Sequence, residues 1–206
     1  MSASPQRFAR AASVLDAIAA ATAFVGKMAS WLIIPIIILV LISILAGVVR
    51  INQVADWDGE VFILGGGLTL NSLLEMQWHL FGVLLMLTGA YALHENRHVR
   101  VDVLSSKFSP TVARVVDILG DLILLLPLCI ILIDRSFPLV ELSYRTGERS
   151  NEDGLTHRWV VKTFVPIGFA LLATLGVTRI VRNILTLLGA PEPPAPKTMR
   201  EHTVGG

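Results

Sequence analysis

Few residues in this chain could do chemistry, and most sit where chemistry is hard to build. His79, His94 and His98 lie on or beside a single apolar stretch, and His94 and His98 are spaced to share one helix face. A bis-histidine haem needs two axial ligands facing each other across a bundle. No second apolar run carries a central histidine, so haem ligation does not follow from this pattern. A zinc site needs three or four donors, and no cysteine or third suitable ligand stands near His94 and His98. The triplet Gly65-Gly66-Gly67 lacks the lysine and the strand–helix context of a phosphate-binding loop. It reads instead as a flexible re-entry into an apolar segment. Asp56 and Asp58 read as solvated loop carboxylates, and no nucleophile–base pair or paired carboxylate stands out. The single cysteine, Cys129, cannot form an internal disulfide and reads as a small apolar packing residue. The sequence therefore predicts no catalytic residue, no metal and no cofactor.

Two acidic residues stand inside or beside apolar runs, where a charge is costly and hence informative. Glu75 has two readings. It is a buried polar contact to a partner or an ion, or it completes a capping box with Ser72 three residues earlier. Asp121 stands about one turn into the third apolar run, where it pairs with a base on another helix or reaches the headgroup layer.

The elements that position these residues follow from hydropathy. Of 206 residues, 53% are hydrophobic and only 16% charged, against about 25% charged in an ordinary soluble domain. Apolar runs near the roughly 20 residues that cross a bilayer alternate with short charged segments. The expected fold class is an all-α integral membrane protein with four transmembrane helices, at about 31–49, 72–93, 115–135 and 159–180. Residues 1–29 form an N-terminal segment without a cleavable signal shape. Phe8, Leu15, Ile18, Thr22 and Val25 recur there at helical spacing, so the segment is an interfacial amphipathic helix or an extension of the first span. Residues 50–71 read as a loop, and small residues Gly82, Thr88, Gly89 and Ala90 favour close helix packing in the second span. The transmembrane domain is expected over 30–188. A proline-rich tail over 189–206 reads as disordered.

Charge sets orientation and excludes one class of partner. A net charge of +1 without a basic, aromatic-interleaved block argues against nucleic-acid binding. With both termini cytoplasmic, the inner segments hold eleven Lys and Arg and the outer segments six.

Certain stretches resemble a known family. Glu75-Met-Gln-Trp78-His79-Leu-Phe81, then Gly89-Ala-Tyr-Ala-Leu93, then Asn96-Arg97-His98-Val-Arg100-Val-Asp102, are similar to the small membrane subunit of tripartite ATP-independent periplasmic (TRAP) transporters, the DctQ-like family. Gly147-Glu-Arg-Ser150, Gly154-Leu155, Arg158-Trp159-Val-Val-Lys162 and Pro166-Ile-Gly-Phe169 resemble a longer-chain branch of it, the likeness covering roughly residues 30–185. Asp153 and Thr156 depart from that pattern, where a second glycine and a proline are expected.

The resemblance implies a small permease subunit in the bacterial inner membrane. Its partners would be a large membrane subunit, a periplasmic substrate-binding protein and membrane lipids. The large subunit would carry substrate and sodium, so uptake of organic acids would be driven by sodium rather than ATP, with this chain as scaffold. The near absence of polar groups in mid-span agrees with a chain that lines no pathway, since transporter cores show discontinuous helices and midplane polar groups. Glu75, Trp78, His79, Arg97, His98, Arg100, Asp102, Arg158, Trp159 and Lys162 are then expected at contacts with the large subunit or the lipid interface. The alternative is a membrane anchor of a redox complex holding haem or quinone.

Overall fold

A computed structural model describes residues 5–95, 109–151 and 154–192. Among the described residues, four helical stretches are long and apolar enough to cross a membrane: Phe8–Val48, Leu70–His94, Pro110–Arg145 and Trp159–Leu187. The protein is an all-α integral membrane protein. Its surface makes sense only in lipid: Ile37, Leu41 and Leu45 on one helix are 52%, 56% and 64% exposed. A helix satisfies its backbone polar groups internally, so such a face is stable against hydrocarbon.

The first stretch is α1 (Pro5–Ala29), a single 3₁₀ turn at Ser30–Leu32, and α2 (Ile33–Val48). Ala29, Leu32 and Ile33 all keep right-handed helical dihedrals, so the turn tightens the helix without ending it. The buried face of α1 is Ala12, Thr22, Ala23, Gly26 and Ala29, whereas Ile18 and Val25 are exposed. Of the residues recurring at helical spacing in 6–27, Ile18 and Val25 thus point outward, Phe8 and Leu15 are half-buried and Thr22 is buried, while small residues pack inward. A soluble amphipathic helix would do the reverse, but in lipid close backbone approach replaces apolar bulk as the packing rule.

After α2, Arg50 takes φ +60, while Ile51 N–H bonds Ala46 O and Arg50 N–H bonds Gly47 O. This closes the helix as a Schellman turn with arginine in the left-handed position usually held by glycine. The segment read as a loop is in fact an antiparallel hairpin, β1 (Gln53–Val61) and β2 (Gly65–Thr69). The three glycines form β2 rather than a flexible re-entry. Trp57 Nε1–H donates to Gly65 O at 2.9 Å and ties the hairpin to itself.

α3 (Leu70–His94) is capped by Thr69, not by Ser72 with Glu75. Ser72 N–H donates to Thr69 Oγ1 at 3.0 Å and Thr69 N–H donates to Ser72 Oγ at 3.3 Å. This is a reciprocal capping box with serine in the usual place of glutamate, and it leaves the Glu75 carboxylate available for other partners. α4 (Pro110–Gly120) begins behind Ser109, whose hydroxyl accepts from Val112 N–H. A π turn at Asp121–Leu125 joins α4 to α5 (Leu126–Arg145). Pro127 gives the cause: it has no N–H, and its ring would meet the carbonyl of Ile123, so the ladder widens just before it. α5 extends well beyond the expected end of the third span. It stops at Gly147, with φ +58, by another Schellman turn: Glu148 N–H bonds Ser143 O and Gly147 N–H bonds Tyr144 O. α6 (Trp159–Leu187) runs on past Arg179 and Arg182.

The contacts divide the chain into two compact units. One comprises 1–27, 88–131 and 169–206, the other 28–87 and 132–168. In the first, Ala90, Leu93 and Leu175 form a buried cluster joined by Ala19, Leu125, Leu171 and Leu172. Gly176 lets α6 come close to Leu125, whose Cδ2 lies 2.8 Å from where a Cβ would stand. In the second, Gly168 meets Met86, with the Met86 carbonyl oxygen 2.6 Å from the corresponding point. The glycines that permit close packing are thus Gly168 and Gly176. A Cβ at Gly82 or Gly89 would find nothing within 4 Å.

Candidate functional site

In the second unit a short loop, residues 146–158, is fastened to the first turns of α3 through one carboxylate. Glu75 Oε1 accepts from Ser150 Oγ at 2.6 Å and from Arg158 Nη2 at 2.5 Å. Its other oxygen accepts from Leu155 N–H at 2.8 Å. Three donors on one ionised acceptor make the short, charge-assisted bonds of a fixed clasp. Only 17% of the Glu75 side chain and 30% of the Arg158 side chain is exposed. Gly154 completes the seat, because a Cβ there would run into the Glu75 carboxylate and Ser150 Oγ.

The loop is braced on all sides. Ser150 N–H bonds Leu155 O at 3.0 Å, and Thr156 N–H bonds Ile63 O in the hairpin turn at 2.7 Å. Arg149 grips Glu60 of β1 with both terminal nitrogens, at 2.7 and 3.2 Å. That contact holds the Glu60 carboxyl below the usual carboxylate range and raises the Arg149 guanidinium. Lys162 pairs with Glu148, and this hydrogen bond, aided by Ser143, lowers the Glu148 carboxyl. His157, at φ +55, lays its ring against Phe62 at 4.5 Å. Trp159 meets Tyr144 edge-on at 5.4 Å. Beneath the clasp, Gln77 Nε2 donates to Ser43 Oγ at 2.9 Å and to Leu39 O at 3.2 Å, joining α3 to α2. A polar cavity of about 340 Å³ lies between hairpin and loop, lined by Gln53, Glu60, Gly66, Arg149 and Ser150.

The structure brings together Glu75, Arg158, Trp159 and Lys162 around this loop. His79 lies one turn below, while Trp78 on the same turn is 75% exposed. Arg97, His98, Arg100 and Asp102 lie outside the described residues. Among the described residues, no group of three or more His, Cys, Asp or Glu is gathered to hold a metal ion.

A family profile for the DctQ component of tripartite ATP-independent periplasmic transporters matches residues 64–186. This chain belongs to the DctQ family. The match spans the helices that build the clasp, the loop itself and all but the last residue of α6. No curated protein and no solved structure matches the chain. DctQ is a family of transporter components rather than of enzymes, and it leaves the redox-anchor alternative without support. A DctQ component with four spanning helices is a multi-pass inner-membrane protein.

Seen as part of a DctQ component, the clasp also explains the motif residues one by one. Gly147 stops α5, Glu148 binds Lys162, Arg149 binds Glu60, and Ser150, Leu155 and Arg158 converge on Glu75. Glu60, Glu148, Arg149, Ser150 and the Leu155 amide were not singled out as site residues from sequence. For all but Glu60 the signal was the Gly-Glu-Arg-Ser and Gly-Leu pieces of the family-like pattern, and Glu60 carried none.

The first unit carries a second set of charges. Arg182, with 7% of its side chain exposed, donates to Asp16 at 2.9 and 3.4 Å and to Thr186 at 3.0 Å. Arg179 lies 3.4 Å from Asp121 and 3.9 Å from Asp117. Of the two readings of Asp121, the pair with a base on another helix is the one observed. Arg179 and Arg182 are therefore paired within a spanning helix and are not free charges of a cytoplasmic end.

Proposed function

We propose that this chain is the small permease subunit of a sodium-coupled TRAP importer of organic acids, and that it scaffolds the large transport subunit without binding substrate itself. The observation that carries this reading is the family match over residues 64–186. Membership implies a larger membrane subunit and a periplasmic binding protein as partners. The apolar spans support the scaffold role, since exposed Ile and Leu side chains along α2 and α5 offer packing area and no pathway. In this reading Glu75, Arg158, Trp159 and Lys162 stiffen one polar end of the chain. Trp78 and His79, with Arg97, His98, Arg100 and Asp102, meet the large subunit or the lipid interface.

The test is purification of the tagged chain from its native membrane, followed by uptake in proteoliposomes. A larger multi-span protein should accompany the chain, and organic-acid uptake should follow an imposed sodium gradient. A chain that purifies alone removes the subunit reading. Uptake that follows only a proton gradient removes the sodium coupling.

A further inference from the structure

The second unit holds a further cavity of about 360 Å³, which Leu155 and Arg158 of the clasp border on one side. Its walls are Met76, Leu80 and Val83 from α3 and Val161 and Phe164 from α6, all inside spanning helices. Thr156, His157 and Arg158 form its lip. From Met76 to Val83 the slot runs about 10 Å along the helix at a rise of ~1.5 Å per residue.

The cavity is hydrocarbon in character. His79 and Arg158 border it, but His79 Nδ1 and Arg158 Nε are buried and have no hydrogen-bond partner among the described residues. Apart from the lip, the surface the slot offers an occupant is almost wholly apolar. Water needs two or more polar partners to be held, so it is not the filling. A peptide segment would bring backbone N–H and C=O groups that the walls cannot satisfy. A volume of this size falls in the range of small-ligand pockets, roughly 300–1,000 Å³. The cavity also starts at the level of an aromatic belt. Trp78 is exposed beside His79, and Trp159 packs on Tyr144 at the loop end. Tryptophan and tyrosine of this kind mark the headgroup layer. A slot that opens at headgroup level and descends between apolar side chains fits a linear hydrocarbon tail.

We propose that this cavity seats an acyl chain of a bilayer phospholipid. The headgroup lies level with Thr156–Arg158 and the tail descends past Leu80 to Val83 and Phe164. The inference rests on the membrane-spanning fold alone, and it survives if the transporter assignment fails.

The test uses the full chain, with whatever subunits accompany it, in vesicles of phosphatidylcholine bearing a photoreactive diazirine in one acyl chain. Irradiation and peptide mapping should place adducts on residues 76–83 and 160–164 several-fold above the lipid-exposed face of α2 around Leu41. Filling the slot from either wall, by Val83→Phe or by Val161→Phe, should return those adducts to the α2 level and leave the α2 adducts unchanged. Two variants on different helices guard against a misfolded one. Labelling spread evenly over all exposed helices overturns the proposal, as does labelling at the slot that persists in both variants. A photocrosslinker at Val83 that joins to another subunit, rather than to lipid, also overturns it and assigns the slot to a protein partner.

Discussion

Glu75 shows what a single residue contributes. Its carboxylate takes three hydrogen bonds from Ser150, Leu155 and Arg158, which lie between α5 and α6. Hydrogen bonds to a charged group contribute about 1.5–3 kcal/mol each when well buried, and part of that is screened here because Arg158 is partly exposed. Glu75→Ala should therefore leave the four helices in place and release the loop. Tryptic cleavage at Arg149 should rise by about tenfold, the ratio that corresponds to ~1.4 kcal/mol in a local opening equilibrium. Glu75→Gln, which keeps one acceptor oxygen, turns the other into an N–H donor and loses the ion pair, should fall between. Equal cleavage rates in all three forms would remove the clasp as the loop's restraint. The sequence pointed to Glu75 because a carboxylate beside an apolar run is expensive. It could not name the partners, which lie 75 to 83 residues away in the chain.

At the scale of the element, the question is which helix contacts tolerate added bulk. Gly168 and Gly176 stand two turns apart on α6, each in a different unit. The obstacle at Gly168 is the backbone of Met86, which cannot move without shifting α3. At Gly176 it is the tip of the Leu125 side chain, which can rotate away. Gly168→Ala should lower thermal stability in detergent by the ~1–3 kcal/mol typical of overpacking, while Gly176→Ala should stay below that. Equal losses, or a larger loss at Gly176, would contradict this account. Neither glycine was legible as a contact from sequence, because small residues in a span are common and only the partner surface decides which of them matter. Gly82 and Gly89 looked equivalent, yet a Cβ at either would meet nothing within 4 Å among the described residues. The spans themselves were legible, since hydropathy is a local sum over a window. The hairpin was not, because Gln53–Thr69 lacks the alternation of a half-buried strand and is held by Trp57 and by the Thr156–Ile63 bond. The helix stops at Gly147 and Gly189 carry the ordinary glycine signal, whereas arginine at position 50 carries none.

For the whole molecule the remaining question is sidedness, which the helix limits sharpen. α6 extends to Leu187, so Arg179 and Arg182 sit inside a spanning helix, paired with Asp117, Asp121 and Asp16. They no longer count as loop charges that orient insertion. Removing them from the eleven inner Lys and Arg still leaves the inner side ahead of the six outer ones. The outer bases have partners as well: Arg145 binds Glu141, Arg149 binds Glu60, Arg158 binds Glu75 and Lys162 binds Glu148. Acidic residues weigh little in the positive-inside rule, so this pairing leaves the count unchanged, but it does show that the outer bases have structural work. Arg7, Arg10 and Lys27, then Arg97, Arg100, Lys107 and Arg114, and Lys197 and Arg200 are then left as the orienting charges. Both termini should face the cytoplasm, with the hairpin and the 146–158 loop in the periplasm. Alkaline phosphatase fused after residue 151 should be active. Fused after residue 104 or at the C-terminus it should be inactive, and a fluorescent protein at those two sites should glow. Neutralising Arg97, Arg100, Lys107 and Arg114 together should weaken this orientation and raise phosphatase activity at residue 104. Neutralising Arg179 and Arg182 should instead destabilise the fold and leave the orientation as it was. An inverted pattern of reporters would place the clasp in the cytoplasm and remove its loop from the reach of any periplasmic partner.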